Sequence, residues 1–332
     1  FFTADPMSQN STFSDIGAMD NVDFCLTATQ DIVDLTVSLY PLTEARPGFD
    51  AEYQLVFQNN GTETISDVLS LEYDETKLTF LNASAPVSSQ TANELFFDFT
   101  ALNPFEIRTI DLSFNVLAPP IVEIDEILDF TATIQPLSSD ANDIDNQFEL
   151  EQIVIGSFDP NDIQVLEGAT ILEDQEAEYI HYIVRFQNTG TASAINVRIE
   201  NVLDPNLDWT TLQMESSSHP NRVEVRDGNF VTFFFDNINL PDSTSNEPES
   251  NGYVAYRIKP LADLTIGDII QNKADIFFDF NLPIETNTVR TEVVEPVSTD
   301  EIPTGLAFSV SPNPVADILT VHTKTPIQRI NI

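Results

Sequence analysis

One short pattern occurs twice in this chain and limits its fold more than any other feature. Glu52-Tyr-Gln-Leu-Val-Phe57-Gln58-Asn59-Asn60-Gly61-Thr62 returns as Tyr182-Ile-Val-Arg-Phe186-Gln187-Asn188-Thr189-Gly190-Thr191, with Gly190 following Gly61 by 190 − 61 = 129 positions. The match continues downstream. Ile65-Ser-Asp-Val68 answers to Ile195-Asn-Val197, Asp74 and Leu78-Thr-Phe80 to Asp204 and Leu207-Asp-Trp209, and Leu95-Phe-Phe97-Asp98 to Phe233-Phe-Phe235-Asp236. One supersecondary unit is therefore used twice. Within it Tyr53, Leu55 and Phe57 alternate with polar neighbours, as do Tyr182, Val184 and Phe186; this period of two marks half-buried strands. The Asn-x-Gly triplets that end these runs tolerate positive φ and predict tight turns between antiparallel strands.

Further strands are expected at Asp34–Pro41, Lys77–Ala83, Ile107–Val116, Leu128–Ile134 and Phe148–Ile155. No window has the pattern of a long amphipathic helix. Seven or eight short strands per unit at this spacing predict an immunoglobulin-like sandwich, with a core that uses many of the 24 phenylalanines. Asp20–Thr27 parallels Asp145–Leu150, the end of the first unit. The expected layout is residues 1–30 as the last strand of a preceding sandwich, 31–156 and 157–294 as two sandwiches strung like beads, 295–303 as a linker, and a short β segment over 304–332.

Charge narrows the function. There are 54 acidic and 13 basic residues, a net charge of −41, and such a field repels phosphate backbones and anionic membranes. Nucleic acid is thereby a poor partner, and no apolar run suggests a membrane span. Cys25 is the only cysteine, which excludes an internal disulfide or a Cys-based zinc site; it is expected to be a small buried apolar residue.

Near the C-terminus, Ser309-Val-Ser-Pro312-Asn313-Pro314-Val315-Ala-Asp-Ile318-Leu319-Thr-Val321 resembles the opening of the type A sorting domain of substrates of the Bacteroidetes type IX secretion system. Pro312, Asn313 and Pro314 carry the likeness, and an ordinary hairpin with a Pro-rich turn is the plain alternative. The resemblance implies export through type IX machinery to the cell surface or the medium, and that residues 304–332 are the truncated start of a small β sorting domain. Ser157-Phe-Asp159-Pro160-Asn161-Asp162, Arg185–Thr191, Asp204–Trp209, Phe233–Pro241 and Ile270–Asn281 resemble an uncharacterised domain found just before that signal in many surface proteins. The fold class expected is thus all-β: tandem immunoglobulin-like sandwiches plus the start of a sorting domain.

Catalytic motifs are missing from the sequence: no Gly-x-Ser-x-Gly, no His-Glu-x-x-His and no phosphate-binding loop. His181, on the polar side of its strand, and His219, in a loop, read as surface histidines. Trp209 reads as core, with sugar stacking as the alternative. Asp140, Asp143 and Asp145 near the end of the first unit, and Asp159, Asn161 and Asp162 between the units, have two readings that both stand: Asx-type turns, or a calcium site, since calcium takes six to eight such oxygens. Asp242-Ser243-Thr244 matches a Bacteroidetes O-glycosylation motif, making Ser243 a candidate acceptor in a loop expected to be exposed. The sequence therefore predicts a non-catalytic extracellular spacer, stalk or adhesion module that meets a surface glycan or protein ligand. An accessory or glycan-binding region of a polysaccharide-degrading enzyme is the alternative.

Overall fold

A computed structural model describes residues 2–12, 21–137, 139–156, 160–173, 178–295, 308–311 and 320–323. Its β1 (Phe2–Asp5) and β2 (Cys25–Ala28) pair into a two-stranded ribbon. All four residues of β2 are exposed, Cys25 among them. The expectation of a buried cysteine fails because a ribbon without a second layer has no interior.

The first sandwich comprises β3 (Leu35–Pro41), β4 (Asp50–Asn59), β5 (Ile65–Tyr73), β6 (Leu78–Ala83), β7 (Ser89–Gln90), β8 (Glu94–Leu102), β9 (Ile107–Val116), β10 (Ile127–Ile134) and β11 (Gln147–Ile153). Its sheets have the orders β3-β4-β9-β6 and β11-β10-β5-β8-β7. Tyr53, Phe114 and Phe130 meet between them with ring centroids 4.7 to 5.8 Å apart. The second sandwich comprises β12 (Asp162–Val165), β13 (Thr170–Leu172), β14 (Ile180–Gln187), β15 (Val197–Val202), β16 (Leu207–Ser217), β17 (Arg222–Arg226), β18 (Phe230–Phe235), β19 (Asn251–Pro260), β20 (Ile269–Asn272), β21 (Ala274–Phe278), β22 (Ile284–Glu285) and β23 (Val289–Val294). The order β12-β14-β19-β16 reproduces β3-β4-β9-β6, and β17-β18-β15-β21-β22 reproduces the five-stranded sheet from its other edge. A third small sheet, β13-β23-β20, splits off where the repeat is less regular. The sequence repeat is thus a repeat of topology, and both units are immunoglobulin-like.

The repeated Asn-x-Gly does a different job from the one the sequence suggests. β4 and β5 lie in different sheets, so the loop between them crosses the sandwich and is no hairpin. Asn59 is fully buried; its amide donates to Glu63 O at 2.7 Å and Leu102 O at 2.9 Å and accepts from Gly61 N. Asn188 repeats the set with Ala192 O, Leu240 O and Gly190 N at 2.9 to 3.0 Å. Gly61 is needed for space, since a Cβ there would stand 2.4 Å from Ile32 O.

Nor do the sandwiches hang as beads. The register of β3 on β4 sends Leu35, Val37 and Leu39 into the first core and leaves Thr36, Ser38 and Tyr40 on the opposite face, yet these three are also buried. What covers them is the back of the second sandwich, where β14 and β19 pair His181 with Arg257, Ile183 with Ala255 and Arg185 with Tyr253. Ile183 and Ala255 pack into the first sandwich's apolar cluster. Two four-stranded sheets therefore stand back to back, and residues 1–294 form one compact unit. Within residues 295–332, β24 (Phe308–Ser311) pairs antiparallel with β25 (Thr320–Thr323). Among the described residues no helix is long and apolar enough to cross a membrane.

Candidate functional site at the seam

The seam has an apolar middle and charged flanks. On one flank Glu215, from β16, accepts the Ser38 hydroxyl at 2.9 Å and the Tyr40 phenol, both from β3, and lies 3.1 Å from Arg257 Nε. Arg257 is 2 % exposed and also donates to Thr36 Oγ1 at 3.1 Å and to Gln213 Oε1 at 2.9 Å. On the other flank the Arg185 guanidinium meets Glu44 of the first sandwich and Asp162 of the second, its Nε lying 2.8 Å from Asp162 Oδ1. Burial pushes the Glu44 carboxyl up against the opposing pull of Arg185. Burial first, and then the negative charge of Glu215, push the Tyr40 hydroxyl well above its ordinary value, so it stays a donor. Each buried charge here is met by an opposite charge or a hydrogen bond, the condition under which charges survive away from water.

His181 belongs to this seam and is no surface histidine. It is 8 % exposed, its Nδ1 lies 2.6 Å from Glu167 Oε1, and Phe148 of the first sandwich meets it edge-on. Around this corner opens a cleft of ≈ 400 Å³ lined from both sandwiches, by Asp145, Phe148, Glu167, Tyr179, Arg257 and Lys259 among others. Arg257 and Lys259 both sit over the Tyr179 ring, 4.4 and 4.8 Å from its centroid.

Beside the seam the loop after β10 folds against the start of β3 and brings Asp34, Asp140 and Asp145 together, with oxygens within 4.8 Å of one another. Asp140 is committed locally: its Oδ2 accepts Leu35 N at 2.8 Å and its Oδ1 accepts Asn142 N at 3.0 Å. Asp145 Oδ1 is buried without a hydrogen-bond partner. Burial, then the charge of Asp34, push the Asp145 carboxyl up to about 7, with Arg257 opposing. Asp34 is raised as well, by burial and then by Asp140. Chemically the trio can hold a proton or a hard cation.

The residues singled out in the sequence separate. Asp140 and Asp145 join Asp34; Asp143 is exposed; Asp162 is bound to Arg185; Asn161 accepts the Gln187 amide at 3.2 Å. Asp159, Pro312, Asn313 and Pro314 lie outside the described residues. Ser243 is half-buried, its amide donating to Asn188 O at 2.9 Å; the rest of its loop, residues 244–249, is exposed, between buried Asp242 and Ser250. Trp209 packs against the second core and donates to Asp204 O at 2.9 Å. His219 is half-buried, its Nδ1 2.8 Å from Ser218 Oγ. Sequence reasoning missed Asp34, Glu44, Glu215 and Arg257. One signal was present: in a chain this acidic, the nine outward positions Thr36, Ser38, Tyr40, His181, Ile183, Arg185, Tyr253, Ala255 and Arg257 hold no Asp or Glu.

Residues 159–292 match the profile of a domain of unknown function, DUF7619. This DUF7619 domain coincides with the second sandwich, from β12 to β23. No curated protein matches the chain. Among solved structures, the C-terminal domain of the Streptococcus pyogenes antigen I/II-family protein AspA aligns with 9 % identity and a TM-score of 0.27, covering 79 % of this chain and 100 % of that one. The collagen adhesin of S. aureus gives 11 %, 0.27, 80 % and 93 %, and the Enterococcus faecalis protein ACE 10 %, 0.28, 80 % and 96 %. Likeness at this level transfers no ligand and no activity.

Proposed function

We propose that the chain is a non-catalytic module of an extracellular surface protein, acting as a stiff spacer that fixes neighbouring parts of a longer polypeptide. The observation that carries this reading is the seam. Its buried charges meet one another across two sandwiches and hold a geometry. Glu44 and Arg185, and Glu215 with Ser38 and Tyr40, each span the two units, so a hinge between them would have to break buried polar contacts. Export by type IX machinery is part of the proposal, supported by the Ser309–Val321 motif and by the strands paired on either side of residues 312–319.

Rigidity is tested by distance measurement. In a Cys25→Ser background, spin labels at exposed Asp98 and Gln271, one in each sandwich, should give one narrow distance distribution, and Glu44→Ala with Glu215→Ala should broaden it. A broad distribution in the unmutated seam rules out the spacer. For export, deletion of residues 304–332 from the protein in the organism that encodes it, with its sorting domain otherwise complete, should hold it in the periplasm. Normal surface display would refute the address.

A further inference from the structure

β17 ends its five-stranded sheet and all five of its residues are exposed. Its two valines face the core side, opposite Phe233 and Val231, but overhang the core and stay 36 % and 52 % exposed. Edge strands are commonly guarded by prolines, bulges or charged side chains, and charge guards an edge against its own copy best where it is of one sign, because like charges facing across strands repel. Here the register on β18 is unbroken from Arg222 to Arg226, and the outward residues Arg222, Glu224 and Arg226 alternate in sign. The strand reads Arg-Val-Glu-Val-Arg in either direction. An antiparallel copy laid on it with Val223 opposite Val223 sets Arg222 against Glu224 twice; with Val225 opposite Val225 it sets Glu224 against Arg226 twice. Opposite charges facing across strands stabilise a pair, and like charges destabilise it.

Behind this edge a supporting row already exists. The registers place Arg222, Phe234, Arg198 and Phe277 side by side on four adjacent strands. Arg222 lies over the Phe234 ring at 3.9 Å and Arg198 over Phe277 at 4.1 Å, with Glu224 and Asp236 holding Arg222 in position. A glutamate arriving from a second copy would extend the row by one place.

We propose that β17 is a docking edge for a second copy of this chain, the two strands pairing antiparallel about a two-fold axis and continuing the sheet. In either register one exposed valine of each copy is covered by its twin, and two Arg–Glu pairs face each other. Opposing this, two chains of −41 repel at long range, a force screened beyond about 8 Å at physiological ionic strength. Pairing therefore strengthens with added NaCl, the reverse of an association carried by its contact ion pairs alone.

The test is sedimentation equilibrium of the 332-residue chain at low and high NaCl. Wild type should show a monomer–dimer equilibrium shifted toward dimer by salt. Glu224→Arg makes the edge Arg-Val-Arg-Val-Arg, and Arg222→Glu with Arg226→Glu makes it Glu-Val-Glu-Val-Glu; each alone faces like charges in every register and should be monomeric. Mixed in equal amounts, the two variants should form a one-to-one complex, which also shows that both are folded. Monomeric wild type at both salt levels, variants that associate as wild type does, or a mixture that stays monomeric would each overturn the proposal.

Discussion

At the scale of residues, the two buried asparagines explain why the repeat is visible at all. Asn59 and Asn188 each hold two backbone groups of the loop that crosses between sheets and one carbonyl beyond it, Leu102 O or Leu240 O; Gly61 N and Leu240 O have second backbone partners, and an alanine would leave the others unpaired at about 1–3 kcal/mol per buried group. Asn59→Ala and Asn188→Ala should each lower the midpoint of denaturant unfolding without changing its slope. Asp145 gives a pH signature. Its folded pKa of about 7 lies above the ordinary carboxylate value of about 3.9, so the folded state keeps a proton that the unfolded state has released. Its contribution to stability is complete below about pH 4, falls as pH rises to about 7, and is flat above that. Melting temperatures from pH 4 to 8 should show this decline in wild type and a shallower one in Asp145→Asn. Calcium at the trio, which shares Asp140 and Asp145 with the expected set, is tested at the same residue: a gain above pH 7 beyond that of NaCl at equal ionic strength, lost in Asp145→Asn, marks an ion held there, and an equal response marks screening of the −41 charge.

At the scale of elements, β19 packs its core face without slack. A Cβ on Gly252 would stand 2.3 Å from the Phe186 ring, so Gly252→Ala should destabilise the second sandwich by about 1–3 kcal/mol through overpacking, whereas Gly168→Ala, with open space and φ of +80°, should cost about 1–2 kcal/mol through backbone strain alone. Strands were legible because alternation is local: Ile107–Val116 appears in the structure with the ends read from the sequence. Topology was legible only as a repeat. The carboxylate trio was half-legible, since Asp140 and Asp145 share a loop but Asp34 lies more than a hundred residues away, brought in by the Leu35–Asp140 hydrogen bond. The seam was misread because a strand whose polar side is Thr, Ser and Tyr looks solvated until a second sheet is known to cover it. Alternation reports that two faces differ, and it leaves open whether the polar one is wet.

At the scale of the whole molecule, the seam should make the two sandwiches unfold together. Removing one partner from a buried ion pair costs about 3–5 kcal/mol, so Glu215→Ala should lower the melting temperature of residues 1–294 as a unit, and calorimetry of the wild type should show one main transition whose van't Hoff and calorimetric enthalpies agree. Two well-separated transitions would mean that the seam contributes little. Residues 295–332 form a unit of their own, and deleting 304–332 should leave that transition within a few degrees.

The back-to-back sheets are the same sheet of each repeat, and the two sandwiches are joined by the eight residues 154–161, between β11 and β12. So short a tether holds the two surfaces at an effective concentration in the millimolar range. A contact that would leave two separate polypeptides apart at micromolar concentration is saturated when it lies within one chain. That is why a seam can be half polar and still close. Nicking the tether with a protease site placed at Ser157 should let the halves drift apart on dilution, and at high concentration they should find each other again.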